Sequence, residues 1–323
     1  MLEPASPSRF DPRAAETVSN GVPAQPVLDS YLHPPPGAEH VPPFDAGWVT
    51  EDGRRRAFLS YTAGGEMPAV NWSESLEELH DRVSAHFMDA WTRRVVLTRL
   101  GRLPRQPRLI DVGCSTGYLL EDLHKSVPHA TLIGVDPIAS GLNKAHKAVP
   151  VARLIQADAC ALPLLDASVD VAVSANVLEH VPDDEQALAE IFRVLRPGGR
   201  AVIVIPLDPG SYNYFDRVLG HERRYARGEL ARKGEDAGLQ VLEEVCLGGL
   251  MYPGFWLVKH YNQRRYGHLQ EEALERRVAE EIEGTSHLVL GRIACRCEEA
   301  LLRRGVRIPF GIRGLTVFSR PAV

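Results

Sequence analysis

The run LIDVGCSTGYLL sets a carboxylate, Asp111, just before three small residues at alternate positions, Gly113, Ser115 and Gly117. Small residues in such a run let the backbone turn sharply and come close to a ligand. A second carboxylate, Asp136, follows in IGVDP, and a third, Asp158, stands beside Ala159 in QADACALP. An ionised carboxylate only accepts hydrogen bonds, which suits it to hydroxyl or amine donors. Further along, SANVLEHVPD carries Asn176 and His180, and GHERRY carries His221. Histidine ordinarily titrates near neutrality, so either ring could take a proton from an attacking hydroxyl. Each residue also has a plainer role available. Asp136 suits a helix N-cap, the histidines suit structural hydrogen bonds, and Arg223 and Arg224 read as a solvated face.

The elements that must position these residues follow from periodicity. After Pro107, short apolar runs alternate with helical segments. Strands are expected at 108–112, 131–135, 152–156, 169–174 and 201–205, with two more at 239–245 and 315–319. Asp183 is the expected cap of a helix that stops at Pro197-Gly198-Gly199, and Gly238 closes a later one. Strands alternating with helices at this spacing imply a parallel sheet covered on both faces. Ligands of such open sheets sit at the carboxyl ends of the strands, where the first loop faces the switch point. The glycine-rich loop occupies that place. Ser115 and Tyr118 stand where a dinucleotide loop needs its second and third glycines, so pyrophosphate binding is not expected.

The loop resembles the first motif of the class I S-adenosylmethionine-dependent methyltransferases, an acidic residue followed by three alternating glycines, with Ser115 for the middle one. IGVDP, QADACALP, SANVLEHVPD and LRPGGRAVIVIP follow in the family's order, and the last two resemble the subgroup that includes the quinone-biosynthesis methyltransferases. The resemblance covers about residues 108–206 and extends more weakly through 221–243. It implies an α/β, doubly wound, mostly parallel seven-stranded sheet. The implied strand order is third, second, first, fourth, fifth, seventh, sixth, with the last strand antiparallel. It also implies S-adenosylmethionine as cofactor and S-adenosylhomocysteine as product. Asp111, Gly113, Ser115 and Gly117 would form the cofactor loop. Asp136 would accept the ribose hydroxyls, Asp158 and the Ala159 amide would meet the adenine, and Asn176 would lie near the methionine portion. His180 and His221 are the candidate catalytic bases.

Outside the resemblance, residues 1–45 form a proline-rich arm expected to be extended or disordered, and 46–106 an N-terminal helical cap. There, Ser75 and Glu78 are read as a capping box opening one helix whose apolar stripe runs from Leu76 to Val95. The methyltransferase domain, 107–323, carries an insertion at about 250–313, read as an aromatic stretch and two charged helices around Gly284. Tyr252, Phe255 and Trp256 suggest a lid over an apolar acceptor. Peripheral membrane contact through 245–265, with Lys259, Arg264 and Arg265 following the apolar stretch, is a second reading, and a dimer interface a third.

The net charge of −5 and the lack of a basic block disfavour a nucleic-acid partner. Five scattered cysteines suit a reducing compartment, and the Cys295-Arg-Cys297 pair has no zinc-site companion, so no metal is expected. With no apolar leader and no run long enough to span a bilayer, a cytoplasmic location is expected. The expected activity is methyl transfer to a small, fairly apolar molecule, at oxygen, such as a secondary metabolite, a quinone-like ring or a sugar-bearing intermediate. Alternatives are methylation of RNA or protein, disfavoured by NVLEH in place of an Asn/Asp-Pro-Pro-Tyr motif, and a cofactor-binding inactive scaffold.

Overall fold

The computed structural model describes residues 31–62 and 74–322, with the side chains of 74–78 left aside. Its centre is an eight-stranded sheet, built from β3 (Phe58–Ser60), β4 (Arg108–Val112), β5 (Thr131–Asp136), β6 (Arg153–Gln156), β7 (Val169–Ala175), β8 (Leu195–Pro206), β9 (Gln240–Leu247) and β10 (Arg313–Ser319). They lie in the order β3-β6-β5-β4-β7-β8-β10-β9. From β3 to β8 neighbours run parallel, while β10 pairs antiparallel with both β8 and β9. The seven strands from β4 onward stand in the expected order. The eighth, β3, comes from the segment expected to be a helical cap and extends the sheet beyond β6.

Strands β4 and β7 are buried along nearly their whole length because both of their faces are covered. On one face lie α5 (Asp184–Val194) and α7 (Glu229–Asp236), and on the other α2 (Phe87–Leu97), α3 (Tyr118–Ser126) and α4 (Ala139–Ala148). Asp183 caps α5 as expected, its side chain accepting from the Gln186 amide at 2.9 Å. Gly238, at φ +93°, follows the end of α7.

Two regions depart from the sequence reading. The stripe from Leu76 to Val95 falls on two helices, α1 (Glu74–Ala85) and α2, broken at His86, which caps α2 by accepting from the Met88 amide. The capping-box side chains of Ser75 and Glu78 lie outside the described residues, although Ser75 falls within the first turn of α1. The insertion forms three helices, α8 (Tyr252–Tyr266), α9 (Glu271–Ser286) and α10 (Val289–Arg303), with Gly284 inside α9 and the break at His287. Leu274, Val278 and Ile282 of α9 pack with Leu79 of α1 and with Tyr214 of α6 (Tyr214–Val218) in a separate small core. The described part of the proline-rich arm is docked: Tyr31 and Leu32 are buried, and Leu32 bridges Leu164. Two short strands, β1 (Trp48–Val49) and β2 (Arg55–Arg56), pair beside it.

Candidate active site

The carboxyl ends of β4, β5 and β6 carry the first cluster. The chain leaves β4 at Asp111–Val112 and turns through Gly113 (φ +79°), Ser115 (φ +46°) and Gly117 (φ +91°) into α3. A Cβ on Gly113 would stand 2.3 Å from a Val177 methyl, and one on Gly117 would meet Ala145 at 3.0 Å, so packing and dihedral both require glycine there. Ser115 holds the same left-handed backbone with a side chain, at a strain of about 1–2 kcal/mol.

Asp136 ends β5 and fastens the loop. Its Oδ2 accepts the Ser115 amide at 2.8 Å, and its Oδ1 accepts the Ile138 amide at 2.9 Å at the start of α4. Asp136 is not the N-cap of α4; that residue is Ile138, which makes no side-chain cap, and the two amide contacts leave the carboxylate buried beside the loop. Asp111 is buried as well, with one carboxylate oxygen lacking any hydrogen-bond partner. Burial, reinforced by the Asp136 charge, pushes its carboxyl up to about 8. A buried, unpaired acid is costly unless a donor or cation comes to it. After β6, Asp158 accepts the Cys160 amide at 2.8 Å, shaping the turn that presents the Ala159 backbone. Asn176, at the end of β7, adopts φ +57° and gives its side-chain amide to Asp89 of α2 at 3.2 Å.

The second cluster begins in the short helical turn Leu178–His180. The His180 and His221 rings meet edge to face with centroids 4.8 Å apart, and His80 of α1 lies 5.1 Å from His180 on another side. His180 donates from Nδ1 to the Gly220 carbonyl at 3.1 Å, and His221 from Nδ1 to Asp216 Oδ1 at 3.0 Å. Both acceptors lack a proton to give, so each ring carries its proton on Nδ1 and a lone pair on Nε2. Burial lowers both imidazoles. His221 and His80 lower His180 further, while Asp216 pulls His221 back up. Asp216 is fully buried in α6; burial works against its charge, yet the His221 hydrogen bond and Arg224, at 2.8 Å, hold it down at about 2. Glu179, between the two rings' elements, is buried with neither carboxylate oxygen hydrogen-bonded, and burial raises it to about 8.

The reading of Arg223 and Arg224 as a solvated face fails here. Arg224 is buried between Asp216 and the Leu207 carbonyl, and Arg223 pairs with Asp184 at 3.2 Å. Lys259 also turns inward, its Nζ 3.5 Å from the Phe215 ring centroid, and burial lowers it to about 7. Arg264 and Arg265 stay exposed.

Helices α1 and α2 roof both clusters with residues the sequence reading did not select. Thr116 of the loop donates to Asp81 at 2.7 Å, and Asp89 pairs with Arg313 of β10 at 2.9 Å while holding Asn176. The only signal was polar residues spaced along helices otherwise read for their apolar stripe. From the insertion, Tyr252 donates to Asp208 at 2.8 Å and Phe255 lies under Arg224, whereas Trp256, Leu257, Val258 and Tyr261 are exposed. A recess lined by Arg105, Gln106 and His129 sits at the opposite, amino end of the strands, away from these groups. Among the described residues, no helix is long and apolar enough to cross a membrane.

Comparison with known proteins agrees with this geometry. A methyltransferase-domain family model matches residues 110–203, the stretch that carries the first cluster and His180. A Mycolicibacterium smegmatis protein named "probable S-adenosylmethionine-dependent methyltransferase" is 32% identical over 201 residues, which cover 59% of this chain and 73% of that protein. The demethylmenaquinone methyltransferase of Thermus thermophilus is 36% identical over 140 residues, 40% of this chain and 63% of that one. Among solved structures, the methyltransferase bound to the Trm112 activator of Haloferax volcanii shares the fold at a TM-score of 0.51 and 18% identity, over 76% of this chain and 94% of that one. S-adenosylmethionine fits the first cluster, where an orphaned buried carboxylate, Asp111, stands beside a loop whose glycines leave room for a ligand's approach. The chain belongs to the S-adenosylmethionine-dependent methyltransferases and is an enzyme of that family.

Proposed function

We propose that this enzyme methylates an oxygen of a small, fairly apolar molecule, with His221 as the base. The observation that carries the reading is the His221–Asp216 pair, a neutral imidazole whose Nε2 lone pair is available and whose Nδ1–H is held by a buried, ionised carboxylate. A hydroxyl must lose its proton as it attacks. A neutral imidazole can take that proton, and the carboxylate behind it stabilises the imidazolium formed. His180 is the weaker candidate, because only the Gly220 carbonyl stands behind its ring.

The cofactor, when bound, supplies an activated methyl group on a sulfonium, and the protein's largest task is to position the acceptor. Asp111 would meet the cofactor's positive charge, Asp136 its ribose hydroxyls, and Gly113, Ser115 and Gly117 would bring the loop backbone against it. Asp158 and the Ala159 amide would address the adenine. Asn176, fixed by Asp89, would border the methionine portion. Tyr252 and Phe255 on the inner side of α8 would wall the acceptor pocket, and the exposed outer side of α8 would let an apolar acceptor be drawn from a membrane surface. The acidic balance of the chain favours a small acceptor over RNA.

The test uses methyl-labelled S-adenosylmethionine, the purified protein and an extract of its source, followed by fractionation. Label is expected in an organic-soluble small molecule, released as methyl iodide by hydriodic acid from an ether or as methanol by alkali from an ester. Label in RNA or protein would overturn the acceptor class and leave the cofactor assignment standing.

A further inference from the structure

We propose that Glu179, His180 and His221 form a binding site for one divalent transition-metal ion. One ligand atom from each lies within 4.8 Å of the other two, the one such grouping of three His, Cys, Asp or Glu residues among the described residues. Two imidazole nitrogens and one carboxylate oxygen suit zinc, manganese or iron(II) over magnesium or calcium, which take oxygen ligands.

Three independent features prepare the group for an ion. Glu179 is 1% exposed, and both its carboxylate oxygens are without hydrogen-bond partners, a burial that protein groups leave uncompensated and a cation would compensate. Both histidines are oriented through Nδ1, His180 by the Gly220 carbonyl and His221 by Asp216, leaving Nε2 as the ligand atom. Metal-binding histidines are held in this way, by a carbonyl or carboxylate on the nitrogen facing away from the ion. The cations whose charge reaches Glu179 are already engaged, Arg313 with Asp89 at 2.9 Å and Arg224 with Asp216 at 2.8 Å, and His80 turns its Nε2 to the Leu219 carbonyl at 3.0 Å. The segments are tied together as well, since the Glu222 amide donates to the Glu179 carbonyl at 2.7 Å.

Bond lengths of about 2.1 Å put neighbouring ligand atoms about 3.4 Å apart in a tetrahedral site, so the ion would draw the three groups inward by side-chain rotation. Three protein ligands leave a coordination position for an oxygen of a small molecule, as in catalytic zinc sites. Occupancy takes the His221 lone pair, so the ion and the base role exclude one another in any one molecule. The inference goes beyond the proposed function and stands or falls without it.

The test is a titration of chelator-stripped, full-length protein with Co²⁺, read by visible absorption and by metal content, with no cofactor or acceptor present. Expected are one Co²⁺ per chain with the weak bands of nitrogen and oxygen ligation, and full displacement by Zn²⁺. Glu179→Gln and His221→Ala should each weaken binding at least 10-fold, and Asp216→Asn about 10-fold through loss of the support behind His221. Circular dichroism of the metal-free variants establishes that they are folded; should His221→Ala unfold, Glu179→Gln, which keeps the side chain's shape, decides alone. Failure of the wild type to bind stoichiometrically overturns the site. So does equal binding by the folded variants, or a strong thiolate band marking cysteine ligation.

Discussion

At the carboxyl edge of the sheet, the ends of β4, β5 and β6 and the ends of β7 and β8 solve different problems with different materials. The first group works through backbone: positive-φ turns at Gly113 and Gly117, amides collected by Asp136, and a turn shaped by Asp158, each within a few residues of a strand end. The second works through side chains gathered from afar. Asp216 comes from α6, His221 from the loop behind it, His80 from α1 and Glu179 from the turn after β7. A site made of strand ends is inherited with the fold, whereas a site assembled from separate helices can be rebuilt for each acceptor.

Mutations can break or sharpen this contrast. The largest effect is expected from His221→Ala, with kcat falling by about 10²–10⁴ and cofactor affinity nearly unchanged, since a base acts only on the acceptor. The same change at His180 should cost less; equal losses would remove the special standing of Asp216. Asp136→Ala should weaken cofactor binding by about 10²–10³ in calorimetry, the worth of two hydrogen bonds to a charged group. Unchanged affinity would end the ribose assignment.

A third prediction concerns pH. In the cofactor-free protein the Asp111 carboxyl is raised to about 8 by burial and the neighbouring Asp136. A cationic ligand favours the ionised form, so binding below that value releases a proton. Affinity should rise with pH by up to about 10-fold per unit and level off above about 8. Asp111→Asn should flatten that slope. The stability this raised group contributes runs the other way: it is fully present below its unfolded value of 3.8 and is lost as pH rises through about 8. The smallest effect is expected at Ser115. Replacement by glycine relieves left-handed strain but frees the unfolded chain, so stability should change by less than about 1 kcal/mol, while Ser115→Val should cost about 2 kcal/mol in thermal melts.

The contrast also marks where sequence reading works. The seven strands from β4 and the cap at Asp183 are legible because local rules govern them, alternation, turn chemistry and capping, while the order of the strands in the sheet came from the family resemblance. Asp81, Asp89 and Glu179 are invisible to such rules, because their significance depends on elements far off in the chain. Arg224 shows the same limit: a charged residue in HERRY reads as solvated until Asp216, eight positions earlier, is found buried beside it. The break at His86 escaped because the apolar stripe runs on through it, while the chain's direction changes.

The edge strand β3 carries a consequence for how the molecule is made. It pairs with β6, whose Leu154 carbonyl also receives the Trp48 indole, and Leu32 bridges Leu164 nearby. These residues leave the ribosome before their partners, which are synthesised about a hundred residues later. The segment waits for β6 to emerge, and because closing a loop of about a hundred residues is slow, β6 keeps an unpaired parallel edge until β3 docks. Annealing of β3 would then be a late folding event, closing the aggregation-prone side of the sheet after the rest of the parallel core has formed.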